Sequence, residues 1–183
     1  RGLGDVYKRQ VATNEVNAAM GIICATPTAG SSGTIPGVLF KLEKTHDLTE
    51  DQMVDFLFTS ALFGRVVANN ASVAGATGGC QAEVGSASAM AAAASVAIFK
   101  GTPEQSGHAM ALAISNLLGL VCDPVAGLVE IPCVMRNAIG SGNALISADL
   151  ALAGVESRIP VDEVIGAMDR VCLLYTSPSP RDK

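Results

Sequence analysis

From Ser86 to Phe99 the chain reads SASAMAAAASVAIF, and the Ala-rich stretch extends back to Gln81. Alanine is the strongest helix former, so Gln81–Phe99 is expected to be helix rather than strand. A helix whose side chains are this small must be enclosed by neighbours that come close to its backbone. Nineteen glycines in 183 residues agree with close small-residue packing and several special turns. The stretch is Ser/Ala-rich and shorter than the roughly 20 apolar residues of a transmembrane helix, so no membrane span is expected. The expected fold class is all-α: a single helical domain with Gly/Pro-rich active-site loops. A hydrophobic content of 49% suits one real core and excludes disorder. A formal charge of −5, with no Lys/Arg cluster, argues against nucleic acid as a partner. No Trp and only 4% aromatics argue against base stacking.

The two ends are related to each other through DNA. Residues 1–10 read RGLGDVYKRQ and residues 172–180 read CLLYTSPSP. One coding string for the first is CGT GGG CTC GGA GAT GTG TAT AAG AGA CAG. Its reverse complement, shifted by one base, is TGT CTC TTA TAC ACA TCT CCG AGC CCA, which translates as CLLYTSPSP. The string resembles a transposon adapter used in sequencing libraries. Residues 1–10 and 172–183 are therefore read as adapter-derived, and residues 11–171 as an internal fragment of a longer protein. Setting aside Arg1, Lys8, Arg9, Arg181 and Lys183 with Asp5 and Asp182 moves the formal charge from −5 to −8.

Within that fragment Asn14–Gly21 reads as a short helix and Cys24–Gly37 as a loop dense in Gly, Ser, Thr and Pro. Val38–Lys44 is a short amphipathic piece. Thr49 is a good N-cap for a helix over Asp51–Asn70, whose apolar residues recur with helical period. Asn69–Gly79 reads as a loop, and Gly101 as the C-cap of the Ala-rich helix. Thr102 and Pro103 start a helix running to about Leu118. A broken segment, Gly119–Cys133, precedes a helix over Arg136–Leu152 that the pair Gly140 and Gly142 interrupts. Pro160–Arg170 is the last helix. No repeat and no linker is visible.

Three cysteines sit at loops or breaks: Cys80 in GGCQAEVG, Cys122 in GLVCDPVAG and Cys133 in EIPCVMRNA. None belongs to a CxxC pair, so the usual zinc spacing is absent. Spacing alone leaves two readings open: three buried thiols acting as small apolar groups, or a shared metal or cluster site beside Gly and Pro. Three protein thiolates on a four-iron cubane would leave one iron open, free to act as a Lewis acid. The loop TPTAGSSGT, Thr26–Thr34, is either an anion nest or an ordinary turn. Its candidates for a substrate carboxylate are Thr28, Ser31, Ser32, Gly33 and Thr34. It lacks the Gly-Lys-Ser/Thr ending of a P-loop. Arg136 and Asn137 join that set, although Arg136 can equally pair with Asp123 or Glu130. Glu83, one helical turn from Cys80, reads as a hydrogen-bond acceptor near the site or as a helix-start charge. Cys24 reads as a half-buried residue flanking the loop, His46 as solvated, and His108 as a satisfied core histidine. No general base is assigned.

The strings CATPTAGSSGTIPGVL (Cys24–Leu39), GCQAEVGSASAMAAA (Gly79–Ala93) and GLVCDPVAGLVEIPC with RNA (Gly119–Ala138) closely resemble the α subunit, or α domain, of bacterial iron-sulfur L-serine dehydratase. The resemblance covers essentially all of residues 11–171. It implies an enzyme that converts L-serine to pyruvate and ammonia without pyridoxal phosphate, and Cys80, Cys122 and Cys133 as ligands of a [4Fe-4S] cluster. It further implies a β subunit or β domain that this chain does not contain, an oligomer, and a reducing, cytoplasmic setting. Two competitors remain. A pyridoxal-phosphate lyase needs a Schiff-base lysine, and Lys41, Lys44 and Lys100 all lie away from the glycine loop. A non-catalytic helical packing module would tolerate loss of all three cysteines.

Overall fold

In the computed structural model, described over residues 4–122 and 130–176, the Ala-rich stretch is the central element. The helices are α1 (Gly4–Ala18), α2 (Thr34–His46), α3 (Glu50–Asn70), α4 (Gly75–Cys80), a π-helical turn (Gln81–Gly85), α5 (Ser86–Ile98), α6 (Pro103–Ser115), α7 (Glu130–Leu152) and α8 (Val161–Thr176). There is no strand among the described residues, so the all-α expectation holds. Every residue of α5 from Ser86 to Val96 is buried. Helices α3, α6 and α7 pack directly on it, and α1 and α2 close the side next to α7.

The small side chains permit that enclosure. Helix α3 crosses α5 at Gly64, where an added Cβ would come within 2.6 Å of Met90 Cε. Helix α7 crosses the π-helical turn at Gly140, where a Cβ would meet Val84 Cγ1 at 2.6 Å. Buried hydroxyls spend their protons on nearby carbonyls: Ser88 on Gly140 O at 2.8 Å and Ser95 on Ala91 O at 2.7 Å. Polar groups paired in this way do not oppose burial. The larger apolar residues Phe56, Ile35, Met110, Ile114, Ile165 and Met168 fill the spaces around the alanine helix. Each contributes about 1.5–3 kcal/mol by leaving water.

Several boundaries differ from the sequence expectation. Thr49 and Thr102 do cap α3 and α6, each in a capping box with the Gln three residues on. Helix α1 begins at Gly4, ten residues before the expected start, and takes in residues set aside as adapter-derived. Val6 and Gln10 are buried there against α2 and α7, with Gln10 Nε2 donating to Val134 O at 2.9 Å. Similarly, α8 continues past Arg170 to Thr176, and Cys172 is buried beside Gln81 and Gly78. The expected loop Asn69–Gly79 contains α4, because Gly75–Cys80 coils onto the front of the π-helical turn. The single helix Gln81–Phe99 is a π-helical turn followed by α5. Helix α6 ends at Ser115, three residues before Leu118. Helix α7 is continuous from Glu130: Gly140 is a crossing point and does not break it.

Candidate active site

Three chain segments converge where α4 meets the π-helical turn. Gly79 makes the convergence possible. Its φ of +71° and ψ of −170° lie in a region open only to glycine. A Cβ there would also press on Leu120 O, Val121 Cα and Cys122 N, each at 3.1 Å. The backbone carrying Cys122 therefore runs hard against the turn that carries Cys80. Two hydrogen bonds fix the contact: Gln81 N–H to Leu120 O at 2.8 Å, and Gly119 N–H to Gln81 Oε1 at 2.8 Å. The π-helical geometry is the local cost of turning Cys80, Gln81 and Glu83 towards different neighbours.

Cys80 is only 2% exposed, while Cys122 and Cys133 are half-buried. Cys133 comes from the first turn of α7. Its thiol is a hydrogen-bond partner of Cys80, and it also feels the charge of Cys122. The hydrogen bond from Cys133 holds the Cys80 thiol down to about 6, against the resistance of burial. Arg136 reinforces it, its guanidinium donating to Cys80 Sγ at 3.0 Å and to Val121 O at 2.6 Å. Cys133 moves the opposite way: the bond to Cys80 and burial push its pKa well above the ordinary thiol range. The pair thus holds one thiolate on Cys80 and one proton on Cys133.

A cavity of about 570 Å³ opens in front of these residues, lined by Cys122, Cys133, Glu83, Asn14, Gly30 and Gly75 among others. Cys80 lies behind Cys133. Among the described residues no three His, Cys, Asp or Glu side chains gather as ligands of a single ion would. The sulfurs come from three separate segments instead, two of them facing a shared space.

The candidates from the Thr26–Thr34 loop fall into two groups. Thr28 does not line the cavity but reaches a residue that does: its hydroxyl donates to Glu83 Oε1 at 2.6 Å and lies 3.1 Å from Ser31 Oγ. Ser31, Ser32, Gly33 and Thr34 are buried. Ser31 Oγ donates to Thr26 O at 3.1 Å and supports the loop from within. Ser32 borders a different, apolar cavity that also holds the exposed Cys24. Thr34 Oγ1 donates to Asn137 Oδ1 at 2.8 Å. Asn137, fully buried, donates to Gly30 O at 2.7 Å and to Cys133 O at 2.8 Å. Asn137 thus ties the loop to the helix turn that bears Cys133. Arg136 stands at Cys80 and does not line the cavity. The side chains of Asp123 and Glu130, its alternative partners, lie outside the described residues. His46 is exposed with its ring edge on Phe99, and half-buried His108 accepts from Ser157 N–H at 3.3 Å. Both stand away from the cysteines. Glu83, read from its spacing of three from Cys80 as a hydrogen-bond acceptor near the site or a helix-start charge, accepts from Thr28 and lines the cavity.

The serine dehydratase alpha chain family model matches residues 3–178. The chain is 66% identical over 167 residues to the probable L-serine dehydratase, alpha chain, of Bacillus subtilis, covering 91% of this chain and 56% of that protein. It is 65% identical to the protein of the same description from Latilactobacillus sakei, covering 91% and 80%. It is 53% identical over 173 residues to the L-serine dehydratase, alpha chain, of Peptoniphilus asaccharolyticus, covering 92% and 59%. The chain thus spans little more than half the length of two of these relatives. A family match along nearly the whole chain, with identities this high, means that the protein belongs to the serine dehydratase alpha chain family.

Proposed function

We propose that this chain forms the cysteine-bearing part of an L-serine dehydratase that converts L-serine to pyruvate and ammonia. The observation that carries the reading is that Cys122 and Cys133 line one cavity while Cys80, from a third segment, is hydrogen-bonded to Cys133, in a chain so similar to named L-serine dehydratase alpha chains. The donors suit a [4Fe-4S] cluster: they are soft sulfurs, two of them border an open space, and the third is already a thiolate beside a guanidinium. With three protein ligands, such a cluster would supply a Lewis acid that eases departure of the serine hydroxyl.

The chain's own residues do the rest of the positioning. Arg136 offsets negative charge at Cys80. Gly79 and Gln81 hold the Cys122 segment against the π-helical turn. Asn137 locks the loop to Cys133. Glu83, held by the Thr28 hydroxyl, presents a carboxylate to the cavity. None of Lys41, Lys44 and Lys100 lines this cavity, so pyridoxal-phosphate chemistry gains no support.

The reading extends to the context of the chain. In this reading residues 1–10 and 172–183 are adapter-derived. The Mycobacterium bovis L-serine dehydratase is 44% identical over 163 residues, which make up 35% of that protein. The alpha chain designation of the other relatives, beside that longer protein, supports a separate β partner here. No helix among the described residues is long and apolar enough to cross a membrane. An open-iron cluster favours a reducing, cytoplasmic setting. The test is anaerobic reconstitution with iron and sulfide, on protein with native ends restored. About four irons per chain are expected, lost in Cys80→Ala, Cys122→Ala and Cys133→Ala alike. No specific iron uptake by the folded protein would refute the reading.

A further inference from the structure

The Glu83 carboxylate stands in the wall of the cavity that Cys122 and Cys133 line. Its Oε1 accepts the Thr28 hydroxyl at 2.6 Å. Among the described residues Oε2 accepts no hydrogen bond, and the ion pair found there joins Lys44 to Asp5, so Glu83 has no cationic partner. Glycines flank the group on both sides. A Cβ on Gly30 would come within 2.8 Å of Oε1 and 3.0 Å of Oε2, and one on Gly75 would overlap Oε2. The negative charge is felt at both Cys80 and Cys133, which places it within electrostatic reach of two of the three sulfurs. A half-buried carboxylate, held by one hydroxyl and lacking a cation, is a ready receptor for a positively charged donor.

We propose that Glu83 receives the α-ammonium group of the substrate, with Thr28 as the positioning residue that holds its carboxylate in place. The inference rests on the dehydratase reading above and adds the residue that selects amino acids. An ammonium group donates up to three N–H bonds, and Oε2 is the acceptor this site leaves for one of them. The volume of about 570 Å³ leaves ample room for a three-carbon amino acid. Glu83 would then distinguish L-serine from 3-hydroxypropionate, which has the same carbon chain and hydroxyl but no amine.

The experiment compares equilibrium binding of L-serine and 3-hydroxypropionate to the full-length protein assembled with its partner chain. Wild type, Glu83→Gln, Glu83→Asp and Thr28→Val are measured, each checked for unchanged helical content. Glu83→Gln is expected to weaken L-serine by about 10- to 100-fold, the range for one charge-assisted hydrogen bond. It should leave 3-hydroxypropionate unchanged or bound more tightly. Glu83→Asp keeps the charge and should recover part of the L-serine affinity. In steady state the Glu83→Gln loss should fall on KM more than on kcat. Equal weakening of both ligands would make Glu83 a structural support and overturn the proposal. Unchanged L-serine affinity in Glu83→Gln would overturn it while leaving the dehydratase reading intact. A wild type that binds neither ligand would overturn both.

Discussion

Replacing Gly79 by alanine tests how the site is assembled. At φ +71° and ψ −170° an alanine is strained by about 1–3 kcal/mol before any contact is considered. Its methyl would then press on three backbone atoms of Leu120, Val121 and Cys122, all at 3.1 Å. Backbone cannot rotate away as a flexible side chain can, so relief requires moving the Cys122 segment. Overpacking of this kind adds about 1–3 kcal/mol, for a total of about 2–6 kcal/mol. Gly119 is the internal control. Its φ is +80°, but nothing lies within 4 Å of the Cβ it would acquire. Gly119→Ala should therefore show strain alone, about 1–2 kcal/mol. In a chain of this size 1 kcal/mol shifts Tm by roughly 2–4 °C. Thermal denaturation by circular dichroism should thus show Gly79→Ala falling well below Gly119→Ala. Iron bound after reconstitution should drop in Gly79→Ala and persist in Gly119→Ala. Equal Tm values for the two variants would show that the Cys122 segment does not bear on Gly79, and the account of the site would fail.

The remaining predictions concern the groups around the cysteines. In metal-free protein, thiolate absorbance near 240 nm should persist at pH 7 and vanish as pH falls through about 6. Cys80→Ser should abolish that titration and Arg136→Gln should move it upward; a wild type with no thiolate below pH 8 would refute the Cys80–Arg136 pairing. Because folding lowers this pKa, the ionised Cys80 stabilises the fold fully above the unfolded thiol's 9.0 and not at all below about 6. Folding raises the Cys133 pKa, so that thiol destabilises the fold as pH climbs past 9.0, and the two contributions together should make denaturation midpoints rise above pH 6 and peak near 9. Asn137→Ala removes three hydrogen bonds and orphans the Thr34 hydroxyl and Gly30 carbonyl, costing about 2–5 kcal/mol in urea denaturation; a loss under 1 kcal/mol would mean the loop is held by other contacts. Thr102→Ala breaks a capping box far from the site and should cost about 1 kcal/mol with iron uptake unchanged.

The helical class was legible because Ala-rich composition and threonine caps act locally. Thr49 and Thr102 signal their helices through hydrogen bonds to residues three positions on, within reach of any sequence window. Long-range contacts were not legible. Gly140 reads as a helix breaker by propensity, yet Val84 and Ser88 pack against it, and that tertiary contact overrides the intrinsic penalty. The Asn69–Gly79 segment reads as a loop because three glycines and small residues favour turns, yet its last residues coil onto the π-helical turn. The three cysteines stood out through their Gly and Pro neighbours, but their mutual distance is set by Gly79 against Leu120 and by α7 crossing at Gly140. Among Thr28, Ser31, Ser32, Gly33 and Thr34, composition could not separate the hydroxyl that binds the cavity-lining Glu83 from those turned inward. That division follows from where Glu83 and Asn137 stand, 55 and 103 residues away from Thr28 and Thr34 respectively.

Two kinds of anchoring hold the sulfurs, and they imply different responses to disturbance. Cys80 is buried with Gly78 and Gly79, so its position is set by core packing, whereas Cys133 sits on a partly exposed first turn of α7 held by the Asn137 bonds to Cys133 O and Gly30 O. Cys122 sits on a segment tied down by the backbone of Gln81 and by Gly79. Breaking those few contacts need not unfold α5 or α6. Gln81→Ala removes the side-chain tether to Gly119 and keeps the backbone bond to Leu120, so it should loosen the Cys122 segment and lower iron uptake while helical content stays unchanged, which separates loss of the site from loss of the fold. A chain built this way fixes Cys80 in the core and leaves Cys122 and Cys133 at the cavity, open to adjustment as it fills. That asymmetry is what a site needs if ligands must enter a structure whose centre is an almost incompressible helix of alanine.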